Sequence, residues 1–256
     1  GPLIRVLRCD MGPGRPGRLL ICAHHLVVDG VSWRILFEQL WQGYQQVVDG
    51  ADITLPAKTT SLAAYTSALH DRAQTPDIAA QADYWAAVPP ADDAFLPIDF
   101  DGPNTEGDAA EIKVELPDEL SRAVLTEVPQ VFQTRINDAL LTAFSRALVR
   151  WGEVPGAYFD REGHGRELAE PGMDLSRTVG WFTSIFPVAL DVDADAPVTD
   201  TLVQVQAQLD DIPDRGAGFG VLRYLSDDAA LRARLDDLPM RAISFTYLGQ
   251  FGGQED

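Results

Sequence analysis

The sequence predicts an α/β protein of two lobes, and three observations lead to that prediction. Residues 3–9 alternate between apolar and polar side chains, and residues 18–25 form a mostly apolar run after the turn-rich MGPGRPG, so a β-hairpin opens the chain. From Val31 to Val48 the apolar spacing is helical. A second strand-and-helix pattern follows residue 110, and 256 residues suffice for two lobes because single cores stop growing near this size.

The first lobe is predicted to span residues 1–98. Its hairpin leads into a helix that Asp29 and Gly30 cap. Two further helices are predicted over 59–73 and 76–88, and the Pro-, Asp- and Gly-rich segment 89–110 marks the boundary between the lobes. The apolar side of the first helix comprises Ile35, Leu36, Leu40, Trp41, Tyr44, Val47 and Val48.

The second lobe, residues 99–256, is predicted to begin with a strand over 111–116 and a helix that opens at Pro117. A longer helix over 134–151 follows, and a strand at AYF then leads into a polar segment. Residues 174–188 join a polar turn to an apolar strand, and the glycine-rich IPDRGAGFG is predicted to be a turn or bridging loop. The predicted apolar face of the long helix comprises Ile136, Leu140, Ala143, Phe144, Ala147, Leu148 and Trp151.

Composition limits the classes of partner. The chain has 39 acidic and 20 basic residues, and its net charge of −19 repels nucleic acid and anionic lipid, so neither nucleic acid nor a membrane is an expected partner. Cys9 and Cys22 support neither a disulfide framework nor a cysteine zinc site. No apolar run is long enough to span a membrane, and the N-terminus lacks a signal-peptide layout, so a cytoplasmic location is expected.

The stretch AHHLVVDGVSW places His24 and His25 at the end of a predicted strand. Such a pair can be a hydrogen-bonded structural feature, or one imidazole can exchange a proton with a substrate, because its pKa lies near neutrality. Asp29 could orient an imidazole or neutralise a buried arginine. A metal site is not expected because adjacent strand residues point to opposite faces. Ser32 lacks the G-x-S-x-G frame of a serine nucleophile.

A second stretch, DREGHGRE at 160–167, carries Glu162, His164 and Arg166. Taken alone it is typical of a polar loop. The two histidine-bearing stretches lie on different predicted lobes, however, so they would meet across a cleft and flank a ligand with an imidazole and a carboxylate. Removal of a proton from one face of a carbon and its return to the other face needs that arrangement. Trp181 and Phe182 are expected to be packing residues.

Together these segments resemble the epimerization domains of nonribosomal peptide synthetases, which belong to the condensation-domain superfamily. HHLVVDGVSW is similar to the superfamily signature HHxxxDG, and its continuation SWRIL is typical of epimerization members. EGHGRE, RTVGWFTSIFPV, PDRGAGFG and SFTYLGQF then occur in the family's order. Thr246 departs from the pattern, since the family commonly has asparagine there. Relative to the family, both lobes are expected to be truncated in this chain.

The resemblance implies two chloramphenicol-acetyltransferase-like lobes that form a V-shaped pseudodimer with a central tunnel. It also implies epimerization, from L to D, at Cα of an aminoacyl or peptidyl thioester. A peptidyl carrier protein would deliver this substrate on its phosphopantetheine arm, and no cofactor would be tightly bound. His25 and Glu162 are the implied catalytic acid/base groups. The implied supporting or lining positions are His24, Asp29, Trp33, Arg177 and Tyr247.

Two other functions stay open at this point. A condensation domain that forms a peptide bond would need His25 but no matching glutamate. A non-catalytic module that docks a carrier protein would need neither group, but only a surface patch. Because carrier proteins are usually acidic, as this chain is, docking would draw on local basic residues. The available arginines are Arg177, Arg215, Arg223, Arg232, Arg234 and Arg241.

Overall fold

The computed structural model describes residues 1–89, 97, 100, 102, 105–168, 170–236, 238 and 241–249. The predicted lobe boundary between residues 98 and 99 lies outside the described residues, as does the end of the last motif at residues 250 and 251. The described part contains a two-stranded sheet, a three-stranded sheet and helices packed around them. The predicted α/β class is therefore confirmed.

The first sheet is the predicted N-terminal hairpin. Strand β1 (Ile4–Cys9) pairs antiparallel with β2 (Arg18–Ala23). A 3₁₀ turn (His25–Val27) then connects β2 to helix α1 (Gly30–Val48). Both histidines thus lie where a strand gives way to a helix, as the sequence predicted.

Most apolar side chains of the hairpin and of α1 are exposed. Ser32 and Ile35, near the start of α1, are its buried residues. The exposed fractions of Phe37, Leu40, Trp41, Tyr44, Val47 and Val48 range from 46% to 63%. Helical spacing therefore predicted the helix correctly, but within the described part of the chain only the beginning of the helix is buried against other residues. No described helix, α1 included, is long and apolar enough to cross a bilayer.

The second sheet has the order β4-β3-β5. Strand β3 (Gly156–Gly163) pairs antiparallel with β4 (Ser184–Asp191), and it pairs in parallel with the short β5 (Ser244–Phe245). The strand predicted at AYF is therefore longer than expected. Glu162 lies on this strand and not in the polar loop that its sequence suggested.

One hydrophobic core joins the second sheet to helices from both predicted lobes. The helices predicted in the first lobe form as α2 (Leu62–Ala73), α3 (Pro76–Ala79) and α4 (Ala82–Ala87). Trp85 of α4 is fully buried, and its ring centroid lies 5.1 Å from that of Phe219 and 6.2 Å from that of Phe186. Helices α3 and α4 therefore share a core with the second sheet.

The strand predicted at EIKVEL does not form. Ile112 and Val114 are 87% and 78% exposed, and no described strand pairs with this segment. Alternation alone cannot stabilise a strand that lacks a hydrogen-bonded neighbour. The next prediction is confirmed, because Pro117 precedes α5 (Asp118–Arg122), a π-helical turn (Ala123–Glu127) and α6 (Val128–Phe132).

Helix α7 (Ile136–Gly152) forms as predicted but buries a different face. Its buried residues include the polar Asp138, Thr142 and Ser145, whereas the exposed fraction of Trp151 is 55%. Two of the buried polar groups are satisfied locally: Asp138 accepts a hydrogen bond from the Arg135 backbone N–H (2.9 Å), and the Thr142 hydroxyl donates to the Asp138 carbonyl (2.7 Å). Hydrophobicity alone therefore misplaced the buried face.

Only the first half of IPDRGAGFG forms the predicted turn, and its second half is helical. A 3₁₀ turn (Pro213–Gly216) passes directly into α9 (Ala217–Leu225), which is followed by α10 (Ala229–Asp236); α8 (Val198–Asp210) precedes the turn. Gly216 has φ of +93°, and a Cβ there would overlap the ring of Phe186. Glycine has low helix propensity, but the burial of Phe219, Val221 and Leu222 stabilises α9.

We expect Trp85→Ala to lower the free energy of unfolding by about 3–5 kcal/mol, because it removes a fully buried aromatic ring and leaves a cavity. Trp151→Ala is the matched control at an exposed position, and its effect should stay within about 0.5 kcal/mol. Urea unfolding followed by circular dichroism measures both. Equal losses in the two variants would contradict the position assigned to the core.

Candidate active site

A buried ion pair joins α1 to the segments around the second sheet. Asp29 Oδ2 accepts hydrogen bonds from Arg166 Nη1 (2.9 Å) and from the Phe182 backbone N–H (3.1 Å). Asp29 Oδ1 accepts from the Ser32 backbone N–H (2.7 Å) and so caps α1. The Asp29 and Arg166 side chains are only 5% and 10% exposed. Of the two roles left open for Asp29, the structure shows neutralisation of a buried arginine.

Ser32 extends this connection. Its hydroxyl donates to the Gly180 carbonyl (2.8 Å) and accepts from the Gly180 N–H (3.0 Å) and from Arg166 Nη2 (3.3 Å). The Arg166 guanidinium also lies 3.9 Å from the centroid of the Phe182 ring. We call Asp29, Ser32, Arg166, Gly180 and Phe182 the arginine clamp. Because the Ser32 hydroxyl is fully buried and engaged, it is unsuited to act as a nucleophile.

The arginine clamp keeps Asp29 ionised. Burial raises the pKa of this carboxyl, but the hydrogen bonds from Arg166 and Ser32 lower the pKa by more. The net effect is a pKa below the ordinary value of an aspartate. The carboxylate is therefore charged at neutral pH and can balance the guanidinium.

The loop after β3 is fixed by a glycine and a tyrosine. Gly165 has φ of +66°, and a Cβ at this position would overlap the Phe182 carbonyl oxygen. The Tyr65 hydroxyl of α2 donates to the Gly165 carbonyl (2.7 Å). Burial, reinforced by the charge of Glu167, raises the pKa of Tyr65 to about 12, so the hydroxyl keeps its proton and remains a donor. The spacing of EGHGRE gave no indication of this tyrosine.

The two adjacent histidines have different surroundings. His24 Nδ1 accepts a hydrogen bond from the Leu26 N–H (3.1 Å) and so caps the 3₁₀ turn. The His25 ring meets the Trp181 ring at an edge, with 5.4 Å between centroids, and it makes no hydrogen bond within the described part of the chain. The nitrogens of His25 are thus available to a ligand. Trp181, expected only to pack, contacts the candidate catalytic histidine.

Glu162 also has an uncommitted side chain. It lies on β3 directly opposite Ile185 of β4, and it shares a strand face with Asp160. Among the described residues its carboxylate has no hydrogen-bond or ion-pair partner. His164, in contrast, accepts a hydrogen bond from the Arg166 N–H at Nδ1 (3.2 Å), while its Nε2 lies 3.4 Å from Glu167 Oε1.

The other predicted positions are Trp33, Arg177 and Tyr247. Trp33 stacks on Phe37 of its own helix, with 5.3 Å between ring centroids. Arg177 Nη2 is buried and has no hydrogen-bond partner among the described residues. Tyr247 is half-buried, and the carbonyl of the neighbouring Leu248 accepts a hydrogen bond from Arg34 Nη2 of α1 (3.1 Å). The last motif therefore reaches α1.

A cavity of about 450 Å³ opens between α2, the beginning of β4 and α9. Its lining is mostly apolar and includes Leu62, Leu69, Phe182, Phe219 and Val221. Trp181 and Ile185 also line it. The cavity wall thus includes Trp181, which contacts His25, and Ile185, which lies opposite Glu162 on the paired strand. Within the described ranges, no group of three or more His, Cys, Asp or Glu side chains is arranged to hold a metal ion.

The family assignment follows from comparison with known proteins. A family model described as "Condensation domain" matches residues 2–255 of the chain. The chain belongs to the condensation domain family. One of the linear gramicidin synthase subunits from Brevibacillus parabrevis is 44% identical over 257 residues, and chondramide synthase from Chondromyces crocatus is 39% identical over 263 residues. These alignments cover 98% and 100% of the chain but only 3% and 6% of the relatives.

Solved condensation-family structures agree with this fold. The epimerization domain from the third module of tyrocidine synthetase B has a TM-score of 0.87 and 35% identity, over 99% of this chain and 57% of that one. The first condensation domain of the calcium-dependent antibiotic synthetase has a TM-score of 0.64 at 15% identity, over 95% of this chain and 53% of that one, and this likeness concerns the fold alone. The mixed α/β fold of condensation and epimerization domains is thereby confirmed.

We expect the arginine clamp to make stability depend on pH. Since the folded state lowers the pKa of Asp29, its charge stabilises the fold above the unfolded pKa of about 3.9, and this contribution is lost as pH falls through the lower folded value. Asp29→Asn should lower the free energy of unfolding by about 3–5 kcal/mol at neutral pH.

That difference from the wild type should shrink as the pH falls below the unfolded pKa of about 3.9. Urea titrations at a series of pH values measure it, with the exposed Asp52→Asn as a control whose effect stays within about 0.5 kcal/mol. A difference that did not change with pH would contradict the ionic role of Asp29.

Alanine substitutions at two glycines with positive φ distinguish two contributions to the free energy of unfolding. One is backbone strain, and the other is overlap of the added Cβ with a neighbouring atom. Gly172→Ala introduces strain alone, at about 1–2 kcal/mol, because nothing lies near the added Cβ. Gly165→Ala should cost about 1–3 kcal/mol more, because its Cβ meets the Phe182 carbonyl. Urea unfolding of both variants measures the difference, and equal losses would show that the loop moves freely away from Phe182.

Proposed function

We propose that the chain catalyses epimerization at Cα, from L to D, of an aminoacyl or peptidyl thioester that a peptidyl carrier protein presents on its phosphopantetheine arm. The observation that carries the proposal is the pair of uncommitted groups, the His25 imidazole and the Glu162 carboxylate. They come from segments far apart in sequence, and both adjoin the beginning of β4. His25 contacts Trp181, and Glu162 lies opposite Ile185.

The proposed reaction moves one proton at a time. One group removes the proton from Cα, and the electron pair of the broken C–H bond moves into the thioester carbonyl to give an enolate. The other group then donates a proton to the opposite face, which forms a new C–H bond and restores the thioester. No electrons are gained or lost overall. Each positioned acid or base contributes about 10²–10⁴ in rate.

The arginine clamp supports this proposal by positioning both segments. Asp29 anchors the start of α1 directly after the turn that carries His25, and it binds the backbone N–H of Phe182, next to Trp181. Arg166 follows the strand that carries Glu162. One ion pair therefore restrains the segments that carry the two candidate groups, as a near-attack geometry requires.

Few arginines of the predicted set are free to bind the proposed carrier protein. Arg232 donates to the Ser226 carbonyl and Arg234 pairs with Asp83 (2.7 Å). Arg223 lies 3.6 Å from Asp236, and Arg241 is buried and donates to the Pro89 carbonyl. Of this set, the exposed Arg215 remains for a docking patch, together with the part of the Arg177 side chain that is not buried.

Peptide-bond formation is the second candidate function, and the match to the condensation family model favours it. That reaction would use His25 to assist an incoming amine and would leave Glu162 without a role. The epimerization proposal draws on both groups and on the likeness to the epimerization domain of tyrocidine synthetase B. Substitutions at the two positions therefore distinguish the functions.

In deuterated buffer, we expect the wild type to introduce deuterium at Cα of an L-aminoacyl or peptidyl carrier protein and to yield the D epimer. His25→Ala and Glu162→Gln should each slow the exchange by about 10²–10⁴. The matched controls are His70→Ala and Glu127→Gln, at exposed positions outside the site, and both should exchange at the wild-type rate. Mass spectrometry and chiral chromatography of the released residue measure label and configuration.

Absence of deuterium with the wild type would contradict epimerization. Peptide-bond formation between two loaded carriers that depends on His25 and not on Glu162 would instead establish the condensation function. Wild-type exchange in both site variants would exclude the two-group mechanism. A module that only docks a carrier would bind it equally well in all variants and change neither configuration nor peptide length.

A further inference from the structure

We propose that the cavity between α2, β4 and α9 receives the side chain of the residue whose Cα is epimerized, and that it selects large uncharged apolar side chains. The inference rests on the proposed function and names its substrate class.

The wall of the cavity includes one neighbour of each candidate catalytic group. Trp181, whose ring contacts His25, is part of its wall, and so is Ile185, which lies directly opposite Glu162. Asp160 is also in the wall, and it shares a face of β3 with Glu162 because residues two apart on a strand point to the same side. A substituent on a carbon held between His25 and Glu162 would therefore have the cavity beside it.

The size and lining of the cavity suit an apolar side chain. Its volume of about 450 Å³ lies within the range of small-molecule sites, so a branched aliphatic or aromatic group fits with space left for neighbouring atoms. Leucine and phenylalanine side chains contribute eight of the residues in the wall, and Trp181, Ile185 and Val221 add further apolar surface. Pockets of this kind discriminate by about 10–200-fold per methylene group.

The charged groups of the lining and the Tyr65 hydroxyl already have partners. Asp160 accepts a hydrogen bond from the Arg241 N–H (2.9 Å). Burial raises the pKa of this carboxyl, and that hydrogen bond and the positive charges of Arg241 and Arg223 offset the rise only in part. Arg223 donates to the Leu238 carbonyl, and the Tyr65 hydroxyl donates to the Gly165 carbonyl. A charged substrate side chain would enter without a counter-ion and would lose its hydration. The Ser184 hydroxyl, buried and unpaired within the described residues, offers a single neutral hydrogen bond.

Gly220 gives an independent indication that this space is kept open. In the same motif, Gly216 has a positive φ, and a Cβ at Gly218 would overlap the side-chain amide of Gln81. Gly220 has neither constraint: it lies within α9, lines the cavity, and a Cβ there would meet no atom within 4 Å. Because glycine weakens a helix, its presence here is explained by the space that a larger side chain would fill.

Gly220→Leu tests the inference because the new side chain can grow into open space without displacing the backbone. We expect the wild type to exchange deuterium into leucyl and phenylalanyl carrier proteins at least about tenfold faster than into lysyl and glutamyl ones. Gly220→Leu should slow the phenylalanyl and leucyl substrates by about 10–200-fold and the alanyl substrate by less than about twofold. Ala230→Leu, at an exposed position of α10, adds the same kind of side chain away from the cavity and should change nothing.

A binding measurement separates this inference from the proposed function. Unreactive N-acetylaminoacyl pantetheine amides of alanine and phenylalanine are titrated by calorimetry, which does not require turnover. Tighter binding of the phenylalanyl probe, lost in Gly220→Leu, supports the pocket even if no deuterium exchange is found. Two results would overturn the pocket: an equal loss of exchange for alanyl and phenylalanyl substrates in Gly220→Leu, or equal affinity for both probes in both proteins. Deuterium exchange by the wild type would still support epimerization in either case. Thermal unfolding confirms that Gly220→Leu is folded.

Discussion

The ion pair between Asp29 and Arg166 constrains most of the candidate site. A guanidinium this deeply buried requires a counter-ion, and its partner also caps α1 and holds the backbone of Phe182. This one ion pair therefore holds together the start of α1, the loop after β3 and the segment that leads into β4. The geometry in which Asp29 and Arg166 can pair sets the rotation of α1 about its axis. It also sets the position of the turn that carries His25.

Local patterns predicted the elements that depend on local contacts. The hairpin, the start of α1 at Asp29 and the long helix α7 all follow from residue spacing and capping. Patterns failed where a distant partner decides the outcome. EIKVEL alternates but has no described strand beside it, and α7 turns polar residues inward because Asp138 and Thr142 bond within their own helix.

The candidate site was predicted in part. Resemblance to a family indicated His25, Glu162 and a structural Asp29, and the sequence left the partner of Asp29 open. Nothing local to Arg166 or Gly180 marks them as the groups that meet α1, since each contact joins residues more than 130 positions apart. An aromatic residue in an apolar strand usually packs, so the sequence predicts a packing role for Trp181, and only the folded chain brings it to His25.

The uncovered apolar side of α1 and the hairpin has a colloidal consequence. Aliphatic and aromatic groups on separate copies attract each other at short range, while a net charge of −19 keeps the copies apart at long range. Dissolved salt shortens that repulsion to about 10 Å at 0.1 M and about 3 Å at 1 M, but it leaves the short-range attraction intact. We therefore expect this part of the chain, on its own, to associate more readily as the ionic strength rises.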